Sequence, residues 1–175
     1  MEENSEQLAD DLSSHLKELA EYKYQSEIRR EDSLIAQAGN MQTAFAFTSA
    51  ALFMVAAIAV EYKEPWSYGF LLLIFSSITF FLVGSLVLAT IAQSRSERED
   101  FEHIDKIVAF VNEHFEDSDT LAKRNIQWVN MLAKVESDLS RTNDNKVVLI
   151  KWSMRLFYVA IGLSVFWFIV AMFKM

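Results

Sequence analysis

Long uncharged runs alternate with heavily charged segments along this chain of 175 residues. No charged side chain occurs in residues 65–94, and residues 34–60 and 156–173 are also free of charge. A hydrocarbon core about 30 Å thick is crossed by about 20 apolar residues in helical form. The pattern therefore predicts three membrane-spanning helices, at about residues 41–60, 67–92 and 156–173.

The charged segments also show helical spacing, because their apolar residues recur every three or four positions. Near the start of the chain the apolar stripe consists of Leu8, Leu12, Leu16, Leu19 and Tyr22, and it predicts an amphipathic helix that packs against other protein. The alternative for residues 1–15 is a loosely ordered acidic tail. After the second span, two stripes flank a polar turn at residues 116–120. The first contains Phe101, Ile104, Val108, Val111 and Phe115, and the second contains Leu121, Trp128, Leu132, Val135 and Leu139. Two stripes joined by a short turn predict an antiparallel helical hairpin.

The predicted fold is therefore an all-α membrane protein with three transmembrane helices per chain. Its segments are an N-terminal amphipathic helix (1–38), a transmembrane hairpin (39–94), a cytoplasmic helical hairpin (95–146) and a third transmembrane helix (147–175). We expect a bend where Gly39 and Asn40 enter the bilayer. We also expect a break or a frayed turn in the helix at residues 141–146.

Lys and Arg residues near the span ends predict the orientation. Lys63 and Lys174 lie on one side of the predicted bilayer, and the other side has Lys23, Arg29, Arg30, Arg95, Arg98, Lys106, Arg141, Lys146, Lys151 and Arg155. Positive charge is enriched in cytoplasmic segments. The N-terminus and residues 95–146 are therefore expected in the cytoplasm, and the C-terminus outside.

The first span has an unusual composition for a helix surrounded by lipid. Residues 41–60 contain seven Ala and one Leu, together with several weakly polar side chains. Small and weakly polar residues favour contact between helices or a cavity. The face formed by Gln42, Ala46, Ser49, Phe53 and Ala56 is therefore predicted to lie innermost in an assembly, either lining a pore or packing dry against other helices. On the second span, Ser77, Gly84, Ser85 and Ala89 predict one close-packing face.

Two acidic residues, Glu61 and Glu64, flank the short turn between the first two spans. In a ring of subunits they could attract cations at the outer mouth of a pore. The alternative interpretation is that they cap and solubilise the turn.

The chain offers little catalytic chemistry. It has no Cys, no phosphate-binding glycine loop and no HExxH motif, so we expect no enzyme, no cofactor and no metal site. Arg98 and His103 have the spacing of the motif in HEPN-type ribonucleases, but we interpret them as part of a solvated helix face. The net charge of −8 also disfavours nucleic acid as a partner, because phosphate binding requires clustered Lys and Arg.

Two functional hypotheses follow from these patterns. Three spans cannot enclose a pore, so a pore-forming protein of this kind needs a ring of copies with the first span innermost, gated through its cytoplasmic helices. Its partners would be the lipid bilayer, further copies of itself, and a cytoplasmic sensor protein or signalling molecule. The alternative is a membrane-anchored scaffold whose cytoplasmic helical hairpin docks a partner protein.

The order of segments in residues 20–115 resembles the SLATT group of small bacterial membrane proteins. In both, a charged cytoplasmic helix precedes a two-span hairpin with a very short outer loop, and a cytoplasmic helical segment follows. The chain also resembles the small membrane accessory proteins encoded beside some CRISPR systems. The resemblance implies a pore-forming or membrane-perturbing effector of antiphage defence in the bacterial inner membrane, triggered by a separate sensor. The third span at residues 156–173 departs from the two-span pattern.

Overall fold

The computed structural model describes residues 2–61, 67–94 and 120–174. Within these ranges the chain forms three α-helices and no strand. Helix α1 spans Glu2–Glu61, α2 spans Tyr68–Gln93 and α3 spans Leu121–Lys174. All three helices are long and apolar enough to cross a membrane, as expected for an all-helical membrane protein.

The chain divides into two compact units. The first comprises Met1–Asp32 and Arg95–Asn143, and the second comprises Ser33–Ser94 and Asp144–Met175. Both α1 and α3 contribute residues to each unit. The predicted segment boundaries fell after residues 38, 94 and 146, whereas the boundaries of these units fall after residues 32, 94 and 143.

In the first unit, α1 and α3 run parallel. The carboxylate of Asp10 accepts a hydrogen bond from the backbone N–H of Ala122 at 3.0 Å, and Lys23 forms an ion pair with Glu136 at 3.2 Å. The residue number therefore rises along both helices in step. Among the described residues, residues 121–139 of α3 pack against α1. The first arm of the predicted cytoplasmic hairpin, residues 95–115, lies outside the described residues.

The seam between α1 and α3 in this unit is largely polar. Its buried positions on α3 are Asn125, Leu132, Leu139 and Asn143, which follow spacings of seven, seven and four. This is the heptad spacing of paired helices. On α1 the buried positions include Ser13 and Glu31. The predicted leucine stripe of α1 is exposed and does not form this seam.

In the second unit, α2 runs antiparallel to both other helices. Phe70 near the start of α2 packs edge-on against Trp167 near the end of α3, with ring centroids 5.3 Å apart. Two apolar clusters surround α2. One contains Leu34, Ala38, Ala92 and Ile150, and the other contains Ile74, Ile78, Leu82 and Ala160. Ser85 and Ala89 are fully buried, which confirms the close-packing face predicted from their small side chains.

Helix α3 continues through residues 141–146, where the sequence predicted a break. Thr142 donates its hydroxyl to the carbonyl of Asp138 at 3.0 Å, which keeps this polar side chain within the helical turn. Asn143 is fully buried and donates its amide to the side chain of Glu27 at 2.9 Å. Contacts with another helix thus outweigh the weak helix propensity of these residues. The predicted break is wrong.

Helix α1 likewise continues through Gly39 and Asn40. A Cβ atom added to Gly39 would lie 3.5 Å from the side-chain nitrogen of Gln93 on α2. This is an ordinary van der Waals distance, so the space at Gly39 would also admit a small side chain, and the helix is not interrupted there.

Candidate functional site: a cavity between α1 and α2

A cavity of about 330 Å³ lies between α1 and α2 in the second unit. Gln42, Ala46, Ser49, Phe53 and Ala56 all line it, and these are the five residues predicted to share an inner face. The opposite wall is formed by α2, through Phe75, Thr79, Leu82, Val83 and Leu86. Because the five α1 residues recur at spacings of four and three, one helix face presents all of them to α2.

Small side chains explain why a cavity forms here. Ala46, Ser49 and Ala56 extend little from the α1 backbone, so they leave space beside Thr79 and Val83. At the edge of this face, Phe45 is buried. Its ring packs against the ring of Phe157 on α3, with ring centroids 4.5 Å apart. Phe45 thus anchors α1 to α3, while the small residues next to it leave α1 loosely packed on α2.

A single hydrogen bond between side chains connects α1 to α2 beside the cavity among the described residues. The Gln42 amide donates to the Thr90 hydroxyl at 3.1 Å, and Thr90 donates in turn to the carbonyl of Leu86 at 2.9 Å. Both side chains are at least partly accessible. The polar end of the cavity is therefore held by one exposed contact rather than by packing.

The hydroxyls of Ser49 and Thr79 differ from their neighbours. Thr43 and Thr48 donate to carbonyls four residues earlier on α1, as hydroxyls in membrane helices commonly do. Within the described ranges, Ser49 and Thr79 make no such bond. Their hydroxyls can therefore bind water or a polar solute in the cavity, which is otherwise apolar.

On its other side, α2 packs tightly against α3. Ser85 and Ser153 are both fully buried and are hydrogen-bonded to each other. A Cβ atom added to Gly84 would lie 3.4 Å from Leu156. Sequence analysis missed Ser153, because it precedes the predicted third span. Its spacing of four and three residues to Phe157 and Ala160 was the available signal.

The α1 span is the least covered of the three in the single chain. In the most apolar eighteen-residue stretch of α1, 6% of the residues are buried, against 28% in α2 and 11% in α3. Glu61, one of the two predicted mouth residues, is exposed at the end of α1. Glu64 lies outside the described residues.

The described ranges contain no group of three His, Asp or Glu side chains that could hold a metal ion. Arg98 and His103, which have the spacing of a ribonuclease motif, lie outside those ranges. The cavity has room for water or a small polar solute, and its polar side chains are those of Gln42, Ser49 and Thr79.

Comparisons with known proteins add no family assignment. No protein-family model matches the chain, and no curated protein or solved structure is significantly similar to it.

Proposed function

We propose that the protein is a homo-oligomeric effector of the bacterial inner membrane that forms a pore or perturbs the bilayer. In this proposal the N-terminus and residues 95–146 are cytoplasmic and the C-terminus is outside. The resemblance to SLATT proteins extends the proposal to antiphage defence, with a separate sensor protein or signalling molecule as the trigger. No catalytic step is involved.

The observation that carries the proposal is the cavity beside the poorly covered α1 span, which is mainly apolar and has Gln42, Ser49 and Thr79 as its polar side chains. A helix surrounded by lipid gains from bulky apolar side chains, whereas small residues favour helix–helix contact. The α1 span has the small residues, yet few of its positions are buried within one chain. In this proposal, neighbouring copies supply the missing contacts on the exposed side of α1, and the Gln42–Ala56 face lines the cavity beside α2 within each copy.

Unequal packing around α2 supports a gating role for α1. The contact between α2 and α3 is closed by apolar clusters and by the buried serines. Helix α1 contacts α2 at Leu34, Ala38 and Ala92, but a cavity separates the two helices along residues 42–56 of α1. A helix that moves between a closed and an open position must be able to shift without disrupting the packed core. Helix α1 fits this requirement, and its cytoplasmic residues are where a trigger would act.

A membrane-anchored scaffold is the alternative, and one observation favours it. The leucine stripe near the start of α1 is exposed, as expected for a docking surface on a partner-binding protein. In that case the three spans serve only as anchors, and the cavity has no transport role.

Flux through liposomes of bacterial lipid tests the proposal. Purified full-length protein is reconstituted at rising protein-to-lipid ratios, and release of encapsulated ions and small dyes is followed. A pore-forming oligomer gives release that rises more steeply than linearly with protein density. A scaffold leaves the liposomes tight at every density, and that result would overturn the proposal.

A further inference from the structure

An uncovered apolar face lies near the start of α1, in the first unit. Leu8, Leu12, Leu19 and Tyr22 are 71%, 64%, 57% and 73% exposed. Asp11 and Glu18 lie beside Leu8 and Leu12 in one open groove, together with His15, whose ring nitrogen is 3.6 Å from the Glu18 carboxylate. We call the four apolar residues, Asp11 and Glu18 the acidic leucine face. Contiguous exposed leucines of this kind mark an interaction surface.

The charge of this region limits what can cover the face. Residues 2–22 contain seven acidic residues and one Lys. Residues 95–119, another segment with an apolar stripe, contain nine acidic and three basic residues. Two copies of the acidic leucine face, or this face and residues 95–119, would therefore repel each other. The occupant that fits is basic and partly apolar.

The same chain has a basic surface at the start of α3. Residues 121–135 contain three basic residues and no acidic one. Lys123, Ile126 and Lys134 are all exposed, and their spacings of three and eight place them on one side of the helix. We call these three residues the basic face. In the described part of the chain, neither lysine forms an ion pair.

The two faces lie at the same level of the first unit. Asp10 contacts Ala122 at 3.0 Å, Asn125 donates to Ser13 at 3.0 Å, and Trp128 donates to Glu21 at 3.2 Å. Residues 8–22 of α1 therefore run alongside residues 121–134 of α3. Each face lies on the side of its own helix away from the seam, so neither blocks the other.

We infer that the acidic leucine face of one copy binds the basic face of the next. The inference rests on the homo-oligomeric assembly of the proposed function and names the two surfaces that meet. Rotation about an axis parallel to the helices does not shift one copy along that axis relative to the next. The acidic leucine face of one copy therefore lies at the same height as the basic face of its neighbour. A contact between two different surfaces is heterologous, and such contacts close into rings when the rotation permits.

Cysteine cross-linking tests the pairing, because the natural chain contains no Cys. Leu12→Cys is placed in full-length protein with one tag and Ile126→Cys in protein with another, and the two are co-expressed and oxidised in membranes. The inference predicts a disulfide-linked species carrying both tags. Cross-linking of Leu12→Cys mainly to itself, or no cross-link in the mixture, would overturn it.

Charge reversal tests the complementarity. Asp11→Lys with Glu18→Lys on α1, or Lys123→Glu with Lys134→Glu on α3, should each lower the mixed cross-link yield about tenfold, since several weakened ion pairs add. Combining all four reversals in every copy should restore it. Asn145→Lys, an exposed change about three helical turns beyond Lys134, is the control. Equal loss with the control, or no recovery in the combined variant, contradicts the inference.

Parallel measurements of liposome flux separate this inference from the proposed function. Mixed cross-links in protein that leaves liposomes tight support the interface and overturn the pore. Flux that persists in the reversed variants, with no mixed cross-link in any background, overturns the interface and supports the pore.

Discussion

Ser85 and Ser153 each donate a hydrogen bond to the other's backbone carbonyl, at 2.6 and 2.7 Å. Both residues are fully buried between α2 and α3. A hydroxyl in hydrocarbon must find an acceptor, and here each serine satisfies the other. The pair therefore fixes the position of α2 along the length of α3.

Replacing either serine with Ala should destabilise the contact between α2 and α3. A double-mutant cycle of Ser85→Ala and Ser153→Ala should give a coupling free energy of about 0.6 to 1.7 kcal/mol, the range for hydrogen bonds between membrane helices. The free energy of unfolding in mixed micelles, titrated with a denaturing detergent, measures it. Ser164→Ala is the control, because its hydroxyl donates to Ala160 within α3. A coupling near zero would show that the two bonds do not stabilise the helix pair.

Asn143→Asp should strongly destabilise the first unit. The Asn143 amide donates to the Glu27 carboxylate at 2.9 Å and is fully buried, so the substitution places two carboxylates together in a buried site. We expect a loss of about 1 to 3 kcal/mol in thermal or chemical unfolding followed by circular dichroism. The exposed Asn145→Asp should change stability by less than about 0.5 kcal/mol. Equal effects at the two positions would contradict this role for Asn143.

The helices themselves could be predicted from sequence because each apolar run is long and free of charge. The inner face of α1 was also predictable, since a spacing of four and three places Gln42 to Ala56 together on any helix. The burial of Ser85 and Ala89 followed from their small side chains in the same way. These inferences depend only on periodicity and side-chain size.

The pairing of α1 with α3 could not be predicted. Its seam contains Ser13, Asn125 and Asn143, whereas the exposed stripe contains leucines, so hydrophobic periodicity points to the wrong face of α1. The unbroken helix at Thr142 and Asn143 was missed for a related reason. Its support comes from a hydrogen bond to Glu27, more than a hundred residues away in the chain, which local propensity does not include.

Filling the cavity should damage function more than adding bulk elsewhere. Ser49→Trp puts a large ring into the 330 Å³ space between α1 and α2 and should push the two helices apart, a change that typically costs about 1 to 3 kcal/mol. Loss of the oligomer in size-exclusion chromatography and loss of liposome flux are expected together. Ser76→Trp, at an exposed position of α2, is the control and should retain both. Equal tolerance of the two would place α1 at the periphery of the assembly.

The outer side of the α1 span gives a separate test of assembly. Ala50 is exposed in the single chain and does not line the cavity. Ala50→Trp should therefore leave the helical content and thermal stability of the protomer unchanged, while blocking close approach of a neighbouring copy. Reduced oligomer size with a normal circular dichroism spectrum is the expected result. An unchanged oligomer would mean that this side of α1 faces lipid in the assembly.

The Gln42–Thr90 hydrogen bond should control flux without controlling folding. The bond joins α1 to α2 beside the cavity at an exposed position. Its loss should therefore lower the free energy of unfolding by about 0.6 kcal/mol, the average for hydrogen bonds between membrane helices. Gln42→Leu removes the bond, makes the polar end of the cavity apolar and should reduce the rate of ion release from liposomes. Thr43→Val is the matched control, because among the described residues the Thr43 hydroxyl donates to Gly39 within α1. If both variants release ions at the natural rate, the cavity is not on the conduction path. If Gln42→Leu alone changes the rate while its free energy of unfolding falls by no more than about 0.6 kcal/mol, the polar contact between α1 and α2 acts mainly on conduction.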